Sequence, residues 1–241
     1  EIYTLSLHDA LPISSWECAM TIKNNAKRQN AAGQDQVRLE KWLIWARTLQ
    51  AEAQSGLAYA KNPFDIERYE RMRDLSVEIM NEYSQAGADR VRKMFAGESG
   101  YQTPKVDVRG AVVEGGKILL VQEKLNDGRW SLPGGWADVG LSVRQNIEKE
   151  VREEAGLNAR ATRLVAIYDW LKSIHEAPFS MYKIIMLCET AGGHFAENSE
   201  TAAAAFFAPD ALPPLTHKIS EEMIAWCLAA AADPCWQPRI D

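Results

Sequence analysis

The chain has no apolar run near the roughly 20 residues that span a bilayer, so nothing in it reads as a membrane segment. It has no surplus of positive charge. Lys and Arg number 27 against 33 Asp and Glu, for a net charge of −6. That balance argues against a general nucleic-acid or membrane-surface binder. Cysteine is scarce: Cys18, Cys188, Cys227 and Cys235 are scattered with no CxxC spacing. Neither a zinc site nor a disulfide framework is indicated, and reduced thiols in a cytoplasmic protein are the simplest account. No internal repeat is present. Residues 1–19 hold no Lys or Arg, so they make a poor signal peptide.

What is present is concentrated in Gly134 to Leu157, GGWADVGLSVRQNIEKEVREEAGL. This reads as a glycine loop followed by a helix dense in carboxylates. Ser142 and Gln145 form a capping box, and Gly156 is a natural stop. Val143, Ile147 and Val151 recur every four residues and make a stripe that can dock on a core. Glu150, Glu153 and Glu154 stand at i, i+3 and i+4 and crowd the end of the helix. They repel one another there, and the helix dipole adds to the penalty. A divalent cation would remove both penalties, and oxygen-rich clusters of this kind suit Mg²⁺, with Mn²⁺ as a substitute. The plainer reading is a solvated acidic face partly neutralised by Lys149 and Arg152.

The surroundings favour the metal. The stretch resembles the Nudix box, whose pattern is Gly, five residues, Glu, seven residues, then Arg-Glu-aliphatic-x-Glu-Glu-x-Gly-aliphatic. Gly135 fits its start, and Glu150, Val151, Glu153, Glu154, Gly156 and Leu157 fit its end. Leu141 stands where the pattern has Glu, and Lys149 where it has Arg. Lys149 keeps the charge but loses the planar fork. The resemblance implies an α+β Nudix fold, a mixed β-sheet between helices. It also implies that Glu150, Glu153 and Glu154 bind metal, with Glu153 or Glu154 positioning or deprotonating the attacking water.

The rest of the chain agrees. Residues 1–19 look like a translated adapter oligonucleotide, so a non-native tail is expected there, with Met20 as the true start. Residues 20–36 are polar and are expected to be disordered. Residues 37–98 read as a small helical domain. A first helix from Val37 ends near Gly56, with Leu39, Trp42, Leu43, Trp45, Ala46 and Leu49 on its apolar face. A second runs from an Asp65 cap to about Gln85, with Tyr69, Met72, Leu75, Ile79 and Tyr83 spaced for burial. A third covers about Ala88 to Phe95. Residues 104–235 are strand-rich: VDVRGAVVE and KILLVQE form a hairpin at Gly115-Gly116. After the box helix come RATRLVAIYDW, FSMYKIIMLCET, a Gly192-Gly193 turn, a short strand at Ala203–Phe207 and a closing helix from Ile219.

A helical extension before such a box is similar to a Nudix subgroup resembling CDP-choline and ADP-ribose pyrophosphatases, in which Leu141 and Lys149 are ordinary. That resemblance implies Mg²⁺-dependent hydrolysis of a nucleoside diphosphate linked to a group X, a small-molecule nucleotide substrate, and a homodimer. It implies Gly134 and Gly135 close to metal or phosphate, with Gly135 a ligand. It places Arg109 and Lys149 toward substrate phosphate, Trp136 at the substrate, and Glu200 as an assisting carboxylate, while Ala203 stands where relatives carry a second acid. Tyr168, Trp170, Phe179 and Tyr182 are further candidates for stacking a base, and His175 for touching substrate. Two alternatives stay open. One is a Nudix enzyme for dinucleotides, RNA 5′ ends or nucleoside triphosphates, though the acidic balance weighs against RNA. The other is a non-catalytic nucleotide sensor, which would be expected to carry a basic recognition helix that this sequence does not show.

Overall fold

The computed structural model describes residues 41–84, 88–170 and 180–240. The expectations for residues 1–36, the start of the first helix, His175 and Phe179 lie outside them. The chain divides into a helical unit ending at Pro104 and a mixed unit of Lys105–Trp170 and Met181–Asp241.

The helical unit contains α1 (Lys41–Tyr59), α2 (Pro63–Ser84) and α3 (Ala88–Phe95). Its core is Leu43, Ala46, Val77, Met80, Val91 and Ala96. Four local expectations are corrected. Gly56 does not end α1, which runs on to Tyr59. A side chain at Gly56 would collide with the Tyr69 ring, so glycine there allows α1 and α2 to approach closely. Asn62, not Asp65, opens α2, because Asn62 Oδ1 accepts from Phe64 N at 2.9 Å. The inner face of α2 carries Ser76, Val77, Met80 and Ser84, while Leu75 and Tyr83 face outward. Two small serines on the buried stripe allow close packing and shift the face away from the larger residues. Trp45 also points outward, at 58% exposed.

The mixed unit is built on a seven-stranded sheet ordered β3-β2-β1-β5-β4-β7, with β6 paired to β2. Its strands are β1 (Lys105–Glu114), β2 (Lys117–Glu123), β3 (Trp130–Ser131), β4 (Leu157–Asp169), β5 (Met181–Gly193), β6 (Thr201–Phe207) and β7 (Arg239–Ile240). Two helices pack on it, α4 (Val143–Ala155) and α5 (Glu221–Ala232). β1 turns tightly into β2, yet over Lys105–Val112 it runs parallel to β5. Strand alternation then places Val108 and Val112 under α4 with Ile147, Val151 and Ala155. Gly110 lies beneath the same helix; a Cβ there would meet Val151 Cγ2 at 2.5 Å, so glycine lets α4 sit down on β1. Asp107 and Arg109 fall on the alternate positions of the strand. The Gly192-Gly193 pair is not a turn: β5 continues through it, and Gly193 pairs with Leu157. β7 went unforeseen, since two residues carry no periodic signal.

Candidate active site

The box helix α4 is fixed at both ends by its own sequence. Ser142 Oγ accepts from Gln145 N at 3.2 Å, and Gln145 Oε1 accepts from Ser142 N at 2.9 Å, so both halves of the capping box form. Gly156 closes the helix in the left-handed region at φ 69°. With Ile147 and Val151 turned inward, the three glutamates spread around the adjacent face. Glu154 lies nearest the core and is 8% exposed. The Glu150 carboxylate is 12% exposed and that of Glu153 52%. One helix thus presents three carboxylates at graded depth.

The glycine loop meets the helix at Glu154. Gly134 N donates to Glu154 Oε2 at 2.9 Å. Gly134 holds φ 147°, and any side chain on it would strike the Val108 carbonyl and the Arg109 Cα of β1. The glycine is therefore required by the loop's contact with β1. Gly135 does lie beside the carboxylates: a Cβ there would be 3.5 Å from Glu150 Oε2. Its carbonyl accepts from Val108 N at 2.8 Å.

Burial is the largest influence on the two deeper acids. It pushes Glu154 up to about 8, reinforced by repulsion from Glu150 and Glu123 and opposed by Arg109 and the Gly134 N–H. Burial also raises Glu150, with Lys149 and Arg109 pulling against it and Glu153 and Glu200 adding repulsion. Lys149 balances the outer charges. Its Nζ lies 3.1 Å from Asp138 Oδ2, 3.2 Å from Glu153 Oε2 and 3.5 Å from Glu150 Oε1. Partial burial works against that ammonium, but hydrogen bonds to Asp138 and Glu153 and the charge of Glu150 outweigh it and raise its pKa.

Among the described residues, no group of three or more His, Cys, Asp or Glu side chains is gathered as a ready metal cage. In this arrangement Lys149 draws on Glu153 and Glu150 while Glu154 turns to the Gly134 N–H. The donor chemistry nevertheless fits a hard divalent cation: carboxylate oxygens, crowded and in part strongly desolvated.

Glu200 is brought to the same place. It is close enough to Glu150 to repel it. Two residues missed in the sequence hold this loop. Asn198 Oδ1 accepts from the Glu200 and Thr201 N–H groups at 2.9 Å each, and Asn198 Nδ2 donates to the Glu153 carbonyl at 2.9 Å. Thr201 Oγ1 donates to the Glu154 carbonyl at 2.9 Å. The signal was legible as an Asx turn, an Asn three residues before a Thr in a polar loop.

Arg109, expected toward substrate phosphate, is enclosed in the structure. It is 2% exposed. Its Nε and Nη2 donate to the two Asp107 oxygens at 2.9 and 2.7 Å, and its Nη1 donates to the Leu132 carbonyl at 3.0 Å and to Ser131 Oγ at 3.3 Å. Lys183 Nζ joins Asp107 at 2.8 Å. Arg109 is therefore a buried countercharge behind the glutamates, with its fork already engaged, rather than an open phosphate clamp. Burial lowers the Lys183 ammonium to about 7, against the pull of Asp107.

The aromatic candidates separate by burial. Trp170 is 2% exposed with Lys183 Nζ 4.2 Å from its ring centroid. Tyr168 packs edge-on against Trp226 at 5.4 Å. Trp170 is thus enclosed by its neighbours, while Tyr168 is half-buried. Trp136 is half-buried and bridges to Asp107 through its backbone, and Tyr182 is 45% exposed. Of the stacking candidates in the described residues, Tyr182 is the most open, and Trp136 and Tyr168 are half-buried.

Comparison with known proteins agrees with this architecture. The NUDIX domain family matches residues 104–227. The family described as "UDP-X-like, N-terminal oligomerisation domain" matches residues 40–95. The chain is 45% identical over 179 residues to YjhB of Bacillus subtilis (strain 168), to which an ADP-ribose pyrophosphatase activity is ascribed; the match covers 74% of this chain and 86% of that protein. A crystal structure of an ADP-ribose pyrophosphatase from Streptococcus suis is 50% identical, covering 58% of this chain and all of that one, with a TM-score of 0.54. A crystal structure of a UDP-X diphosphatase is 35% identical, covering 83% of this chain and 98% of that one, also with a TM-score of 0.54. Among the described residues no helix is long and apolar enough to cross a membrane.

Proposed function

The chain belongs to the Nudix family of pyrophosphatases, and from that premise we propose that it hydrolyses a nucleoside diphosphate linked to a group X, giving a nucleoside monophosphate and phospho-X, with Mg²⁺ as its metal and Mn²⁺ as a substitute. The observation that carries the reading is the helix α4 itself, capped at both ends and presenting Glu150, Glu153 and Glu154 at graded depth beside a glycine loop. Similarity to proteins named for ADP-ribose and UDP-X supports the NDP-X class over nucleoside triphosphates.

Glu150, Glu153 and Glu154 would hold the metal, with Gly135 as a further ligand. When bound, the metal neutralises the pyrophosphate and lowers the pKa of the attacking water. Glu154, desolvated and oriented by the Gly134 N–H, is suited to hold a proton near neutral pH. Glu153, with its exposed carboxylate, would orient water at the outer edge. Glu200 stands beside Glu150 as an assisting carboxylate. Trp136 and Tyr182 have the exposure needed to meet a base or X.

The test is incubation of the purified protein with Mg²⁺ and a panel of ADP-ribose, CDP-choline, UDP-linked compounds, dinucleotides and nucleoside triphosphates. Release of a nucleoside monophosphate from an NDP-X compound is expected. Hydrolysis of triphosphates alone, or of nothing in the folded protein, sinks the proposal.

The helical unit supports self-association. Its family is named for oligomerisation, and it exposes Trp45, Tyr59, Phe64 and Tyr83, each above half. A homodimer is expected, with a solution mass about twice 27.0 kDa by light scattering. A monomer at micromolar concentration rejects it.

A further inference from the structure

Between Gly134 and the start of α4 the chain carries a single acidic residue, Asp138. It is not at the position where the box pattern has its acid; Leu141 stands there, 40% exposed. Asp138 is nevertheless held firmly. Its N–H donates to Asn146 Oδ1 at 2.8 Å, and Asn146 Nδ2 donates to the carbonyls of Asp138, Leu141 and Ser142 at 3.4, 3.4 and 3.2 Å. Asn146 is 1% exposed on α4, one turn before Lys149. The loop is thus tied to the helix that carries the glutamates, and the Asp138 carboxylate reaches Lys149 Nζ at 3.1 Å.

The same ammonium lies within 3.5 Å of Glu150 and Glu153. It occupies ground that a divalent cation on those oxygens would need. Two cations sharing one pair of carboxylates repel strongly at such separations, even with the screening of a partly exposed site. Lys149 must therefore leave Glu150 and Glu153 when metal enters. Asp138 is the partner already in contact that lies outside the box glutamates.

We propose that Asp138 is a positioning residue for metal loading: it takes the Lys149 ammonium as a divalent cation displaces that group from Glu150 and Glu153. The proposal rests on the metal reading above and deepens it. Without Asp138, Lys149 has only the two glutamates to turn to, and it competes with metal for them. Without Lys149, Asp138 has nothing to hold, and its loss becomes neutral.

The experiment is Mn²⁺ titration by calorimetry or electron paramagnetic resonance on the wild type, Asp138→Asn, Asp138→Glu, Lys149→Met and the Asp138→Asn/Lys149→Met double variant, with folding checked by circular dichroism. Asp138→Asn is expected to weaken Mn²⁺ binding about three- to fivefold, the scale of one partly exposed ion pair. Asp138→Glu restores binding to within about twofold, because it restores the pair. In the Lys149→Met background Asp138→Asn has no further effect. An equal loss in both backgrounds overturns the proposal, since Asp138 would then act on the metal directly. Unchanged affinity in Asp138→Asn overturns it as well. Failure of the wild type to bind Mn²⁺ at all overturns the metal reading and this proposal with it.

Discussion

Replacing Glu154 by Gln is expected to lower turnover about 10³-fold while raising the melting temperature of the metal-free protein. Both effects come from one cause. Glu154 is desolvated against the core, and repulsion from Glu150 and Glu123 adds to the strain on its charge, so its carboxyl titrates at about 8 instead of 4.5. The sign follows from linkage. A group whose pKa is raised on folding binds its proton more tightly in the folded state. Its stabilising contribution is complete below about 4.5 and is lost as pH rises toward about 8. By pH 7 on the order of 3 kcal/mol of that contribution is gone, at about 1.4 kcal/mol per pH unit, because the unfolded chain has released the proton that the folded state still holds. The amide keeps an acceptor for the Gly134 N–H and carries no charge, so the variant loses that slope. In EDTA its melting temperature should exceed that of the wild type by ~5 °C or more near pH 7.5, with the gap closing toward pH 4.5. Added Mg²⁺ should stabilise the wild type more than the variant. Undiminished turnover removes Glu154 from the metal site. A wild-type stability indifferent to pH over this window removes the desolvation argument.

Much of the fold was legible because its signals are local. The capping box at Ser142 and Gln145, the stop at Gly156 and the hairpin at Gly115-Gly116 each need only neighbours in sequence, and each stands where the sequence places it. The i, i+3, i+4 spacing of Glu150, Glu153 and Glu154 needs only helical geometry. What was illegible depends on distant partners. Asp107 and Lys183 are 76 residues apart, and parallel pairing of β1 with β5 sets them side by side. Read alone, Arg109 is a cation on a strand near a phosphate site. Its actual partner lies two residues away on the same face of the same strand, and its burial follows from packing that no local pattern encodes. The inner face of α2 was misjudged for a related reason: serine at a close contact between helices looks polar in a sequence and small in a core.

Asp107→Asn separates the two readings of Arg109. It is expected to destabilise the mixed unit by about 3–5 kcal/mol, the cost of leaving buried countercharges unmatched, and to leave KM within about twofold. The Asp107 carboxylate accepts from Arg109 Nε and Nη2 and from Lys183 Nζ, all at 2.7–2.9 Å, with 4% or less of each of the three residues exposed. Burial opposes its charge, yet Arg109 and Lys183 together hold its pKa down at about 2, against 3.8 ordinarily. A depressed carboxylate contributes stability that is present above about 4 and lost as pH falls toward about 2. The deficit of the Asn variant, measured by urea unfolding at stepped pH, should therefore narrow below pH 4 as the wild type loses the same charge. If Arg109 instead served substrate phosphate, freeing it from Asp107 would change KM and leave stability nearly untouched. The four donor contacts already made by its guanidinium favour the first outcome, because a fork engaged on Asp107, Ser131 and Leu132 would have to break those contacts before gripping anything else.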